Sequence, residues 1–373
     1  MSNESSTLLQ RIQGLDWWVL VLLSVITSIG LFTLYSAADG QFSPWASKQL
    51  IRYLAGLAIL IPIALTDVRF WLSKSYILYA TSLFLLIVVE FLGTIGMGAQ
   101  RWIDLYFFTL QPSEIMKVTL VMALARYFHN TPLSNAQRFI PLIPPALMIA
   151  APAILVMRQP DLGTMILLTA AGLSIFFVAG MRLWIILAGL ISVLSAIPIL
   201  WNLLHDYQKK RVLTFLNPEN DPLDSGYHIL QSKIALGSGG FFGKGYKLGS
   251  QSHLNFLPEK QTDFIFAMYC EEFGILGGYV LILLYSLIVF YGYNVSLKSR
   301  SSYGRFLGVG LTTLFFLYVF VNMAMVTGLL PVVGIPLPLL SYGGTAMVTI
   351  MITLGLIMSV ALHRHVRFKN NTN

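Results

Sequence analysis

The run "FLPEKQTDFIFAMYCEEFG", Phe256 to Gly274, carries Glu259, Lys260, Asp263, Glu271 and Glu272 from a polar loop into an apolar segment. A carboxylate at such a border has two readings. Thr262 or Asp263 can cap the helix that follows, or Asp263 can belong to a polar functional site. Glu271 and Glu272 stand further in, where adjacent carboxylates read first as packing or as cavity polarity. "LQPSEIMKVTL" spaces Glu114 and Lys117 three apart, on one helical face. Such a pair either neutralises itself inside a bundle or lines an aqueous cavity. "MRQPDLGT" sets Arg158 and Asp161 at a turn, with Asp161 in an N-cap position. "GAQRWIDL" gathers Arg101, Trp102 and Asp104, where the tryptophan is either an interfacial anchor or a ligand platform. Glu90 lies deep in an apolar stretch with no evident local partner, so it is expected to be protonated or paired across helices.

The elements that must position these groups follow from composition. The chain has 373 residues, 56% hydrophobic and 11% charged, with a mean hydropathy of +0.73. An ordinary soluble domain carries about 25% charged residues, so this is an integral membrane protein, all-α, folded as one polytopic domain over 1–373. A span needs roughly 20 apolar residues. About ten transmembrane helices are predicted, at 17–37, 50–66, 75–92, 113–128, 143–158, 163–180, 183–204, 264–292, 306–328 and 343–362. The N-terminus lacks a cleavable signal pattern, so the first apolar run is expected to stay as a span. Cys270, the single cysteine, reads as buried packing.

Basic residues orient the bundle. With the N-terminus in the cytoplasm, the inner segments hold Arg11, Arg69, Lys74, Arg126, Arg138, Arg182, Lys298, Arg300, Arg305, Arg364, Arg367 and Lys369. The short outer loops hold only Lys48, Arg52, Arg101 and Arg158. Both termini are therefore expected inside. The net charge of +8 is explained by these loops, with no need for nucleic-acid binding. Residues 205–263 form a large extracytoplasmic loop between spans 7 and 8, long enough to escape the charge rule.

Within that loop, "GYHILQSKIAL" predicts an amphipathic helix on the outer membrane surface, with Tyr227, Leu230 and Ile234 on its apolar face. "GSGGFFGKGYKLGS" reads as flexible. It fails as a phosphate-binding loop, because Gly245 stands where Ser or Thr must follow Gly243-Lys244 and Ser238 stands where the first glycine belongs. No nucleotide cofactor is expected. "LLPVVGIPLPLLSYGG" stays apolar while Pro331, Pro336 and Pro338 prevent a continuous helix, so a re-entrant or interfacial loop capping the outer end is predicted. The charged constellations then fall mainly on the outer half of the bundle.

Five motifs, "QRWI", "QPSEIMK", "RQPDLGT", "LPEKQTDFIFAMYCEEFG" and "LPVVGIPLPLLSYGG", occur in order and in register over nearly the whole chain. In these the sequence resembles the SEDS family (shape, elongation, division and sporulation proteins), and its elongation branch more than its division branch. The resemblance implies a peptidoglycan glycosyltransferase in the bacterial cytoplasmic (inner) membrane. Its substrate would be lipid II, a disaccharide-pentapeptide on undecaprenyl diphosphate. Its partners would be a class B penicillin-binding protein transpeptidase, other elongation-complex membrane proteins and membrane lipids. The family's essential aspartate falls on Asp263, its external tryptophan on Trp102, and the buried pair of its fourth span on Glu114 and Lys117.

The chemistry has two tasks. A base takes the proton of the acceptor sugar's 4-hydroxyl, and positive charge stabilises the departing diphosphate. Asp263 suits the first. Arg101, Arg158, Lys117, Lys210 and Arg211 are candidates for the second, and a divalent cation, Mg²⁺ or Mn²⁺, held with Asp161 or Glu114 is the alternative. Two other classes remain open. A lipid II flippase or transporter predicts a pathway crossing the bilayer, often with an inverted repeat between halves. A non-catalytic scaffold of the elongation machinery predicts that Asp263 is dispensable.

Overall fold

The computed structural model describes residues 8–366, apart from 97–98, 105–108, 133–137, 255 and 258. Of 183–224 only 184–185, 187–189, 191, 195, 202, 209 and 213–214 are described. The expected span at 183–204 and most of 205–224, with Lys210 and Arg211, therefore lie outside the described residues.

A short helix α1 (Leu8–Gln13) precedes α2 (Trp17–Ala37), α3 (Trp45–Leu65) and α4 (Val68–Leu92). Then come α5 (Pro112–Asn130), α6 (Ile143–Arg158), α7 (Leu162–Val178), α8 (Ser225–Ser238) and the single turn α9 (Ser250–His253). The chain ends with α10 (Ile265–Lys298), α11 (Ser302–Val326) and α12 (Gly344–Leu362). Seven helices among the described residues are long and apolar enough to cross a membrane; α5 is more polar and α7 is shorter, at 17 residues. The all-α expectation needs one amendment. Between α4 and α5, strands β1 (Thr94–Gly96), β2 (Ala99–Asp104) and β3 (Thr109–Leu110) form a small antiparallel sheet in the order β1-β2-β3.

The helix starts have local causes. Asp67 accepts the Arg69 amide at 2.8 Å before α4, Asp161 accepts the Thr164 amide at 3.0 Å before α7, and Ser301 accepts the Gly304 amide at 3.3 Å before α11. Pro112 occupies the first turn of α5, where its missing N–H costs nothing. Several helices begin earlier than hydropathy indicates, α3 at Trp45, α4 at Val68 and α11 at Ser302; the caps Asp67 and Ser301 account for the last two, while α3 starts uncapped after Pro44.

The core is built around α11, which packs on α5, α7, α10 and α12 and buries most of its length. Helix α5 is enclosed by α4, α7 and α11, so its polar side chains face protein rather than lipid. Helix α8 is present where expected, but its buried face differs. Gly226, Ile229, Ser232 and Ala235 pack inward against α10 and α11, whereas Ile234 is exposed. The Ser232 hydroxyl fixes that orientation by donating to the Val326 carbonyl at 2.7 Å. A spacing of Tyr227, Leu230 and Ile234 is apolar, but a small-residue face lets α8 lie closer to α10.

Helix α10 is broken. Gly274 has φ +70 and ψ −171 within it, and the glycine-rich segment after α8 fills the break. The amides of Lys244 and Gly245 donate to the carbonyls of Glu271 and Glu272, each at 3.0 Å. In return the amides of Ile275 and Leu276 donate to the carbonyls of Gly240 and Phe241, at 3.0 and 3.1 Å. The segment expected to be flexible is thus a fitted plug that satisfies the backbone groups the break releases. The two carboxylates have partners as well, Glu271 in the segment after α8 and Glu272 on α2. Glu271 Oε1 accepts from Lys244 Nζ at 2.7 Å, from the Gln251 amide at 2.9 Å and from the Ser250 hydroxyl at 3.3 Å. Glu272 accepts the Ser36 hydroxyl of α2. Gly274→Ala should lower the thermal unfolding midpoint of the detergent-purified protein. Its left-handed backbone costs an alanine about 1–3 kcal/mol, and its Cβ would meet the Gly243 nitrogen at 2.4 Å. An unchanged midpoint would contradict a plug this tight.

Candidate functional site

One end of the bundle collects the starts of α3, α5, α7, α10 and α12 and the ends of α4, α6 and α11. Asp263 lies there, in the turn before α10. The N-cap of α10 is Phe264, with no side-chain cap, so Asp263 stands one residue before the capping position expected of it. What holds the turn comes from elsewhere. Asn322, fully buried on α11, donates from Nδ2 to the Asp263 carbonyl at 2.9 Å and to the Ile335 carbonyl at 2.7 Å. The Ser341 hydroxyl donates to the Thr262 carbonyl at 2.6 Å, and the Tyr342 amide to the Gln261 carbonyl at 2.9 Å. Three consecutive carbonyls of the turn are therefore gripped by α11 and by the loop 327–343.

That loop runs between α11 and α12 without regular structure, as its prolines require. Leu337 and Ser341 close a turn on themselves, with the Ser341 amide on the Leu337 carbonyl at 3.0 Å and the Leu337 amide on Ser341 Oγ at 2.7 Å. Gln49 of α3, fully buried, donates to the Ser341 carbonyl at 2.8 Å. Tyr285 of α10 donates to the Pro338 carbonyl at 2.5 Å. A Cβ placed on Gly334 would lie 3.5 Å from Asp263 Oδ2, so the carboxylate lies alongside this loop.

Below the loop sits the pair seen in sequence. Lys117 Nζ lies 2.7 Å from Glu114 Oε1, with both side chains buried. Tyr318 of α11 donates its hydroxyl to the other oxygen, Oε2, at 2.5 Å, and Lys117 Nζ lies 4.5 Å from the Tyr318 ring centroid. Tyr318 and Asn322 are four residues apart on one face of α11. A single helix face thus ties the charged pair to the Asp263 turn. Sequence reasoning missed both residues, although a lone asparagine inside "LYVFVNMAMV" was a readable signal.

The remaining residues form a bracket at the same end. Arg101 of β2 donates from Nε to the Gln159 carbonyl at 2.8 Å and from Nη2 to the Pro160 carbonyl, and its Nη1 is 3.9 Å from Asp161 Oδ2. Asp161 caps α7, and a Cβ on Gly163 would lie 2.9 Å from the Val333 carbonyl oxygen. The α6–α7 turn is therefore packed on the same loop as Asp263. Trp102 is half-buried on β2, paired with Thr94 across the sheet, and Asp104 is exposed at the strand end. Arg158 reaches Glu90 at 3.6 Å, so Glu90 is paired across helices, near the end of α4 rather than deep in it. Lys260 is buried in the turn; burial lowers its pKa and the charge of Asp39 opposes that shift.

A divalent cation would need oxygen ligands. Both oxygens of Glu114 are engaged by Lys117 and Tyr318, and both of Asp161 by Thr164, Gln111 and Arg101. Among the described residues no group of three or more His, Cys, Asp or Glu side chains is placed to hold a metal ion.

The family model described as "Cell cycle protein", which spans FtsW, RodA and SpoVE, matches residues 12–366. The peptidoglycan glycosyltransferase MrdB of Escherichia coli (strain K12) is 41% identical over 359 residues, 95% of this chain and 96% of that protein. A solved structure described as "Structural coordination of polymerization and crosslinking by a peptidoglycan synthase complex" contains a chain 30% identical to this one. It superposes with a TM-score of 0.81 and covers 94% of this chain and 98% of that chain. The rod shape determining protein RodA of Thermus thermophilus is 26% identical, with a TM-score of 0.71, over 94% of this chain and 98% of that one.

Lys117→Met should strand the Glu114 carboxylate and cost about 3–5 kcal/mol of stability. The double variant Glu114→Gln, Lys117→Met should recover most of that loss. Thermal unfolding of the three proteins in one detergent checks it; a double variant no more stable than Lys117→Met would show that the two residues do not act as a pair.

Proposed function

The chain belongs to the FtsW/RodA/SpoVE family of cell cycle proteins, and we propose that Asp263 is the base with which it builds glycan strands. The protein is a peptidoglycan glycosyltransferase of the rod-shape branch, and an integral membrane protein of several spans. Its substrate is lipid II, and its site opens on the outer face of the bacterial cytoplasmic membrane, with both termini in the cytoplasm. The distribution of basic residues supports that orientation. About ten spans and a large outer loop over 205–263 complete the topology.

The observation that carries this reading is the turn 261–263. A catalytic carboxylate needs a fixed origin, and three successive carbonyls there are held by Asn322, Ser341 and Tyr342. Asp263 takes the proton of the acceptor's 4-hydroxyl as that oxygen attacks the anomeric carbon of the donor. The bond to the diphosphate breaks, and the diphosphate departs with its electron pair. An α-linked donor gives a β-linked product by one inverting displacement, so a single base suffices. Because the leaving group arrives on the substrate, no nucleotide is required.

Positive charge must meet the departing diphosphate. Arg101, Arg158 and Lys117 stand at this end of the bundle, and Trp102, Glu114 and Asp161 complete the substrate-binding surface. Their existing bonds support an orienting role, in which they shape the cavity and its field more than they contact the phosphates. A Mg²⁺ or Mn²⁺ carried in with the diphosphate would supply further charge neutralisation. The partner is a class B penicillin-binding protein that cross-links the product, a reading supported by the peptidoglycan synthase complex among the structural relatives. Other elongation-complex proteins and the surrounding lipids are further partners. A flippase or scaffold role is not favoured, since the similar MrdB protein is a glycosyltransferase by name.

The test uses the purified chain with its transpeptidase partner and labelled lipid II in detergent, where there is no bilayer to cross. Wild type should make glycan chains, and Asp263→Asn should lower the rate about 100-fold or more. Polymerisation by Asp263→Asn at the wild-type rate would remove Asp263 as the base. A wild type that makes no chains, beside an active relative, would return the flippase and scaffold readings.

A further inference from the structure

Arg52 belongs to none of the groups described above. It lies on α3, three residues after Gln49, and its guanidinium carbon sits 4.3 Å from the Tyr342 ring centroid. Its Nη1 is buried and has no hydrogen-bond partner among the described residues. A guanidinium carries five N–H donors and does not deprotonate in a protein. A buried cationic donor with no acceptor is costly. Four other cations are paired: Arg101 with the α6–α7 turn, Lys117 with Glu114, Arg158 with Glu90 and Lys244 with Glu271. Arg52 is held against an aromatic face and makes no ion pair with a carboxylate among the described residues, as a cation that takes an anion from outside the chain would be.

Its surroundings indicate the kind of anion. Ile51 and Leu54, on either side along α3, are apolar and 66% and 56% exposed, as side chains meeting lipid would be. Gln49 and Arg52, on the inner side, grip Ser341 and Tyr342 respectively. Those two loop residues in turn hold the carbonyls of Thr262 and Gln261, next to Asp263. A Cβ on Gly344 would lie 3.3 Å from the guanidinium Cζ and Nε, so the guanidinium also packs closely on the Gly344 backbone, which only a glycine permits. The fork therefore stands beside the rim that carries Asp263, on a helix whose other face is apolar and exposed. An amphiphile with a phosphate head and a long hydrocarbon tail matches both surfaces, and planar bidentate binding of phosphate is what arginine does best.

We propose that Arg52 binds a phosphate oxygen of the polyprenyl diphosphate, with the prenyl chain running along the Ile51–Leu54 side of α3. This rests on the polymerase reading and adds a substrate-binding residue to it. The same chemistry would bind the headgroup phosphate of a phospholipid, and the experiment separates the two sources.

The full chain is placed in phosphatidylcholine nanodiscs, and binding of undecaprenyl diphosphate is measured for wild type, Arg52→Lys and Arg52→Gln. Arg52→Gln should weaken binding about tenfold or more, with Arg52→Lys between the two, since it keeps the charge and loses the fork. Undecaprenol, which has no phosphate, should not distinguish the three. In polymerisation, Arg52→Gln should raise KM by a similar factor and leave kcat within about threefold. Equal affinity for undecaprenyl diphosphate in wild type and a folded Arg52→Gln overturns the proposal. So does a pattern in which phosphatidylglycerol stabilises wild type but not Arg52→Gln while diphosphate affinity stays equal, which assigns Arg52 to phospholipid. A lowered unfolding midpoint with unchanged affinity for both Arg52→Lys and Arg52→Gln assigns it to holding Tyr342, against the proposal. Arg52-dependent diphosphate binding by a wild type that makes no glycan would leave this site standing and sink the polymerase reading.

Discussion

A chain that leaves its helices inside a bilayer must find partners within itself for every amide and carbonyl it frees. This protein leaves its helices twice near one end, at the Gly274 break and in the loop 327–343, and both departures are answered by backbone and side-chain hydrogen bonds. At the break, four backbone bonds from the segment 240–245 replace those lost by α10. At the loop, Asn322, Gln49, Tyr285 and Ser341 supply the donors. The cost of leaving any one carbonyl unpaired, about 1–3 kcal/mol, makes these residues interdependent. The turn bearing Asp263 inherits its fixed position from this requirement.

The cations that sequence nominates for the leaving group turn out to be structural first. Arg101 spends its donors on two backbone carbonyls and an aspartate, and Lys117 is closed between Glu114 and the Tyr318 ring. Such groups still set the potential of the cavity, because a fixed charge acts without moving. They are nonetheless poorly placed to grip a phosphate without first giving up a bond. Arg52 differs in having a buried Nη1 with no hydrogen-bond partner among the described residues, a distinction that burial and partners reveal and charge alone does not.

Much of this was legible in the sequence, and the misses share a cause. Span positions follow from hydropathy, and the i,i+3 spacing of Glu114 and Lys117 correctly put them in contact. Asp161 caps its helix as its position before "LGT" indicates. The glycine-rich run was misread because glycine signals both freedom and close approach, and only the partner decides between them. Here the partner is a helix break some thirty residues away, as the contact of Gly243 with Gly274 requires. The inward face of α8 went unread for a similar reason, because small residues packed on α10 leave little hydrophobic periodicity to read. Glu90, expected to be protonated or paired across helices, is paired, with Arg158 of another helix.

The alternatives for Glu114 and Lys117, structural pair or functional lining, are less opposed than the sequence makes them. A pair that served only to neutralise itself would be replaceable by apolar side chains without loss. This one is also the acceptor for Tyr318, and Tyr318 shares a helix face with Asn322, which holds the carbonyls of Asp263 and Ile335. Any shift of α11 that broke the first contact would strain the second, since both ride on one rigid helix. The buried charges therefore specify where α11 sits along its axis, and that in turn specifies where the Asp263 turn sits. The hydrogen bonds that stabilise α11 are thus the ones that position the Asp263 turn, so the charged pair can set the place of that carboxylate without touching it.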